Sequence, residues 1–267
     1  MEAENEMRRE KYVADISSIR EAEGRIKSFI HKTPVLSSES LNAASGRQLF
    51  FKCECFQKSG NHAAALSLAA KLRGIPAYIV IPNGAPKCKV ESVMRYGGQV
   101  IWSEATMQSR ESVASKVLQE TGAVLVHAHN DGRIISGQGT ISLEFLEQAP
   151  QIDTLIAPIS AGRIITLPET NTVADGLQAF LGDFTWPIVR DFVDDIITVE
   201  DNEIIEAMKL CYEILKVVVE PSGAIGLAAV LSDSFKNNPA LKNCSNIGII
   251  LSGGNVDLGK LWDSYRK

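Results

Sequence analysis

Phe56-Gln57-Lys58-Ser59-Gly60-Asn61-His62 joins two unlike patterns. Ahead of it, Leu49-Phe50-Phe51-Lys52-Cys53 is apolar and aromatic, which predicts a strand over 49–53. Behind it, 62–72 is rich in alanine, the best helix former, and Gly74 supplies a stop. Ser59 and Asn61 are residue types whose side chains cap helices by accepting backbone N–H bonds. The stretch therefore reads as a strand-to-helix turn. The free N–H groups of such a helix start favour an anion.

Outward from this turn, strand and helix alternate. Strands are predicted over 77–81, 99–102 and 123–127, and helices over 87–96, 106–120 and 139–148, with Gly97-Gly98 ending the 87–96 helix. A first helix over 18–30 carries Ile16, Ile19, Ile26 and Phe29 at helical spacing, with Ser17 or Ser18 as its cap. Such alternation predicts a parallel α/β architecture. It stops after a strand over 154–158. Ser160-Ala161-Gly162-Arg163 runs straight into Ile164-Ile165-Thr166-Leu167-Pro168, and the pattern stays weak to Trp186. A compact domain seldom holds so long a structureless stretch, so an expected segment is absent. Regular structure resumes with a helix over 188–193, a strand over 196–199, helices over 202–216 and 222–235, and a buried strand over 247–251.

The 267 residues, 45% hydrophobic and 22% charged, describe an ordinary globular protein with a full core. A net charge of −5, with no basic run interleaved with aromatics, gives no reason to expect nucleic acid. Residues 1–11 are charged and lack the apolar core of a secretory signal, and no apolar run approaches the roughly 20 residues that span a bilayer. A cytoplasmic protein with no membrane partner is expected. Cys53-x-Cys55 points two thiols to one face of the predicted strand, as metal or redox pairs do. Two thiols without further ligands make a poor zinc site, so Cys53, Cys55, Cys88, Cys211 and Cys244 read as reduced structural residues. His31, His127 and His129 lack metal spacing, and no metal site is predicted.

Several motifs resemble the serine racemase and threonine dehydratase family of fold-type-II pyridoxal-phosphate enzymes. Phe56-Gln57-Lys58 resembles the strand end that leads to the cofactor lysine. Ser59-Gly60-Asn61-His62 resembles the loop that holds the substrate carboxylate and the cofactor ring. Leu251-Ser252-Gly253-Gly254-Asn255 resembles the loop at the pyridine nitrogen. His31-Lys32-Thr33-Pro34, the 74–82 segment, Gly137-Gln138-Gly139-Thr140, Val173-Ala174-Asp175-Gly176 and Glu220-Pro221-Ser222-Gly223-Ala224 resemble further landmarks in family order.

The resemblance implies a fold-type-II architecture of two parallel-sheet domains, a large one over 1–52 and 149–267 and a small one over 53–148. It implies interconversion of L-serine and D-serine with β-elimination to pyruvate and ammonia. L-serine, D-serine and L-threonine are the implied small-molecule partners, in a homodimer or a pairing with a full-length homologue. Alternatives are a threonine dehydratase-like β-eliminase, a non-catalytic binding or regulatory homologue, and a defective splice or gene-model product.

Residue by residue, the resemblance gives cofactor contacts to Asn61, Ser252, Gly253 and Gly254, and substrate contacts to Ser59, Gly60, Asn61, His62 and Arg110. Ser59 matches the acid/base on the second face, where racemisation returns a proton. Ser252 offers a neutral hydroxyl, which leaves the pyridine a mild electron sink. Glu220 resembles a carboxylate at the ring edge. Each has a plainer reading: a turn at 252–255, an N-cap at 59–61, a solvated helix face at Arg110.

Two departures stand out. In the family, Phe-Gln-Lys continues into Ser-Phe-Lys-x-Arg-Gly, whose lysine forms the Schiff base. No such segment follows Gln57 here, and the loss amounts to about 30 residues, roughly one βα unit. The second gap follows Pro158-Ile159-Ser160. There the family has a tetraglycine-like run that holds the phosphate, then the acidic divalent-cation ligands; only Ala161-Gly162 is left. Ala179 and Phe180 replace a serine-bearing stretch. Lys58 lies ahead of the Schiff-base position and reads as a solvent-facing lysine. Covalent pyridoxal phosphate is therefore not expected, the cation ligands are missing, and catalysis is expected to be impaired.

Overall fold

The computed structural model describes residues 12–58, 61–159, 172–177, 181–257 and 259. Six strands occur among them: β1 (Val35–Leu36), β2 (Gln48–Lys52), β3 (Tyr78–Pro82), β4 (Gln99–Ser103), β5 (Thr154–Ile156) and β6 (Asn246–Ile250). The chain forms two compact units, Met1–Gln57 with His127–Gly254, and Lys58–Val126 with Asn255–Lys267.

In the first unit the sheet order is β1-β2-β6-β5, with β1 antiparallel to β2 and the other pairs parallel. Register sets Leu49 beside Ile247 and Phe51 beside Ile249, all fully buried. Strand β6 is covered on both faces, as a central parallel strand requires. On one face, a Cβ at Gly226 of helix Pro221–Leu231 would stand 3.0 Å from Ile249. On the other, a Cβ at Gly248 would stand 2.9 Å from Phe145 of helix Gly132–Gln148. That second helix also packs on helix Ile16–Ile26, where Gly139 leaves room for Ile19. The units part at 57/58, 126/127 and 254/255; the sequence reading places its domain bounds at 52/53 and 148/149.

Lys52 ends β2 inside this unit with no exposed surface. Its Nζ donates to Thr33 O and Gln148 Oε1, each at 2.8 Å, pairs with Glu144, and lies 3.8 Å from Glu54. A buried ammonium is tolerated only with such a complete set of partners.

Several element bounds differ from expectation. The first helix starts at Ile16, because Asp15 caps it: Asp15 Oδ1 accepts from Ser18 N at 2.7 Å, and Ser18 Oγ from Asp15 N at 2.9 Å. This reciprocal box displaces the expected Ser17 or Ser18 cap. Helix Asp201–Leu210 passes into a π turn, Cys211–Leu215, and Lys216 ends it at φ 59°. The expected 222–235 helix breaks at Ser232, whose hydroxyl caps Asp233–Lys236. The expected strand over 196–199 does not form. Its first N–H is taken by the Asp195 side chain at 2.7 Å, and Ile196 is half exposed.

The second unit holds a two-stranded parallel sheet, β3 beside β4, with Tyr78 opposite Gln99 and Pro82 opposite Ser103. Helices His62–Arg73, Lys87–Arg95 and Met107–Thr121 accompany it; Gly74 and Gly122 end the first and last at φ 67° and 65°. Ala64, Ala70, Ile79, Ile81, Val90 and Val93 form its core. The strand expected over 123–127 is absent, with Val124 77% and Leu125 57% exposed. A strand needs a neighbouring ladder, and no described strand lies alongside this segment.

Candidate cofactor and substrate site

In the first unit, the turn that follows β6 is held from three sides. Leu251 donates its N–H to Lys52 O at 2.9 Å and accepts from Cys55 N at 2.8 Å. Gly253 O accepts from Glu220 N at 2.9 Å. Packing favours glycine here. A Cβ at Gly253 would fall 2.1 Å from Glu220 Oε1, and one at Gly254 would fall 3.0 Å from Val218 O and 3.2 Å from Cys55 O. Ser252, between buried neighbours, is exposed. Glu220 is 3% exposed and precedes helix Pro221–Leu231, which starts with proline at its first position. Ser222 Oγ in that helix accepts from Gly176 N at 3.0 Å. The structure thus brings Ser252, Gly253, Gly254 and Glu220 together, with Gly176 and Ser222 beside them.

In the second unit, Asn61 holds the N-cap position of helix His62–Arg73 without capping it through its side chain. Its Oδ1 accepts instead from Asn255 Nδ2 at 2.8 Å. His62 Nε2 lies 3.3 Å from Val126 O, and Cys88 Sγ lies 3.6 Å from Asn255 O. Arg110 is half-buried on helix Met107–Thr121, where Nη2 lies 3.5 Å from Met107 Sδ, one turn away. Its Nε is buried without a hydrogen-bond partner among the described residues. Lys58 is exposed, and its backbone carbonyl accepts from the Tyr96 hydroxyl. Ser59, Gly60, Ser160, Ala161, Gly162, Ala179 and Phe180 lie outside the described residues.

Two participants were not assigned a site contact from sequence. Asn255 closes the Ser-Gly-Gly-Asn motif, so its signal was in plain view. Cys55 supports the 251–254 turn through its backbone, which no side-chain pattern reveals.

A family model described as pyridoxal-phosphate dependent enzyme matches residues 57–166 and 159–253. The chain is 60% identical to a serine racemase of Arabidopsis thaliana, covering 98% of this chain and 99% of that protein. It is 38% identical to a serine racemase of Rattus norvegicus over 94% of this chain and 96% of the other. The structure of maize serine racemase superposes with a TM-score of 0.92 at 53% identity, covering 96% of this chain and 98% of that one. The chain belongs to the pyridoxal-phosphate dependent enzyme family, in its serine racemase group, and has the mixed α/β fold of that family with parallel sheets. The alignment with the Arabidopsis protein runs over 327 positions against 267 residues here, so at least 60 positions face a gap in this chain. The two family-model matches overlap at 159–166, the place of the second expected gap.

Proposed function

We propose that this chain is a catalytically impaired member of the serine racemase group. Its parent reaction is the interconversion of L-serine and D-serine with β-elimination to pyruvate and ammonia. The observation that carries the reading is the gap of at least 60 aligned positions, taken with the sequence after Gln57, where no Ser-Phe-Lys-x-Arg-Gly segment follows. The residues at hand do not fit covalently held pyridoxal phosphate. Ser252 is exposed where a ring-nitrogen partner is wanted, but Asn61 Oδ1 is engaged by Asn255, and Lys58 is exposed with its carbonyl tied to Tyr96. No lysine here takes the Schiff-base role, and Ser59, Gly60, His62 and Arg110 keep at most the contacts to an amino acid. The cation ligands are lost with the second gap. A cytoplasmic, non-catalytic protein that pairs with itself or with an intact homologue suits this residue set best. A threonine dehydratase-like β-eliminase is the second parent, supported by 30% identity and a TM-score of 0.83 to a solved threonine deaminase.

The test is chemical. The purified chain, incubated with pyridoxal phosphate and then reduced with borohydride, is expected to carry no stoichiometric label on any single lysine. Stoichiometric reduction onto Lys58, located by peptide mass spectrometry, would overturn the proposal.

A further inference from the structure

Cys53 and Cys55 do not lie on a strand as expected. Strand β2 ends at Lys52, and Cys53, at φ −86° and ψ 65°, leads into a 3-10 turn, Glu54–Phe56. The change matters because an extended chain separates alternate Cα atoms by about 6.6 Å, at the upper limit for a disulfide. A 3-10 turn rises only about 2 Å per residue and draws them together. Cys53 is fully buried, with Sγ 3.5 Å from Phe51 O, while Cys55 is half-buried and reachable from solvent. A hydrogen bond between the two side chains, aided by the Lys52 charge and opposed by burial, holds the Cys53 thiol below the ordinary range. The same bond, with burial, pushes the Cys55 thiol up. Burial raises the nearby Cys211 thiol to about 12, which keeps it protonated and out of the exchange.

We propose that Cys53 and Cys55 form a reversible dithiol–disulfide site, oxidised by a peroxide and seated against the 251–254 turn. Peroxide reaches Cys55; as its sulfur takes one oxygen, its proton passes across the shared hydrogen bond to the Cys53 sulfur and on to the departing hydroxide, leaving a sulfenic acid, one water and the Cys53 thiolate. The Cys53 thiolate then attacks Cys55 Sγ, the S–S bond forms, and the departing hydroxide takes up the remaining proton as a second water. Both thiols are oxidised and one peroxide is reduced to two waters; a small dithiol reverses the change. Oxidation is felt beyond the pair, because Cys55 N–H is bonded to Leu251 O and its carbonyl and Cβ stand against Gly254.

Trypsin releases 53–58 as one peptide holding both cysteines. After hydrogen peroxide treatment of the full native chain, that peptide should lose two hydrogens and regain them with dithiothreitol. Hydrogen exchange at 251–254 should rise in parallel, and C55S should abolish both effects. Three results would each overturn the site: both thiols still alkylating fully when exposed Met94 and Met107 are oxidised, disulfides formed to other cysteines instead, or an equal yield from guanidine-unfolded chain. The readouts do not depend on catalysis, so this proposal stands or fails apart from the proposed function.

Discussion

Asn255 Nδ2 donates a 2.8 Å hydrogen bond to Oδ1 of Asn61. Asn61 stands where an N-cap belongs, but its oxygen is turned to Asn255 and away from the helix N–H groups. The acceptor that the family resemblance assigns to cofactor contact is thus committed to the last residue of the Ser-Gly-Gly-Asn motif. Removing the donor, N255A, is expected to cost about 0.5–1.5 kcal/mol locally, the usual net worth of such a bond. The readout is amide exchange at the helix start, beginning with Ala65, whose N–H is bonded to Asn61 O at 3.0 Å. A loss near 1 kcal/mol corresponds to about fivefold faster exchange there. Unchanged rates would mean that the pair holds nothing in place.

Turnover is expected at background. With no lysine base, proton removal at Cα rests on Ser59 alone, and a positioned general base typically contributes about 10²–10⁴ in rate. A chiral assay should find no enzyme-dependent D-serine from L-serine, and S252A should leave that result unchanged. Racemisation that S252A abolishes would contradict the impaired reading.

Acid should loosen the β5–β6 edge of the first unit. Burial acts to raise the Asp153 pKa. It is outweighed by hydrogen bonds to the carboxylate from Asn246 N at 2.8 Å, Thr154 Oγ1 at 2.8 Å and Ser245 N at 3.0 Å, so the net pKa falls below its ordinary 3.8. A carboxyl whose folded pKa is depressed contributes stability above its unfolded pKa and loses it as pH falls through the folded value. Amide protection across 245–249, corrected for intrinsic rates, should therefore be level above about pH 5 and drop below about pH 4. D153N should be weakly protected at every pH, with the acid-dependent drop gone.

Elements punctuated by local chemistry were legible in the sequence. Gly74 stops its helix at left-handed φ, and the apolar run at Ile247-Gly248-Ile249-Ile250 is a buried central strand. The 123–127 and 196–199 segments have the composition of strands and form none, because a strand also needs a neighbour, which composition cannot supply. Lys52 reads in sequence as one more strand residue; its burial follows from Glu144 and Gln148 meeting it from a helix about ninety residues on. In the site, the loop glycines and Ser252 were legible as motif. The Asn61–Asn255 bond was not, because it joins residues 194 apart that local pattern does not relate.

The strongest expectation concerns folding. Strand β5 is three residues long at the sheet edge, with Leu155 39% exposed, and β3 has only β4 as a partner among the described strands. Within the second unit Val124, Leu125, Ile75, Met94 and Trp102 are each at least half exposed. Unpaired parallel edges with apolar side chains beside them promote association between chains. The missing cover is large on the scale of stability. Fully burying one Leu or Ile side chain contributes about 1.5–3 kcal/mol, and a typical domain is stable by only about 5–15 kcal/mol. Leaving several such side chains in water therefore erodes that margin. Expressed alone, the chain should be poorly soluble or melt broadly with weak cooperativity, and bind a hydrophobic dye before any heating. Restoring the two family segments, together, should recover solubility, a sharp transition and a borohydride-reducible cofactor in the same protein. A monodisperse particle with a sharp two-state transition from the chain as it stands would refute the argument, and would leave the non-catalytic binding role as its function.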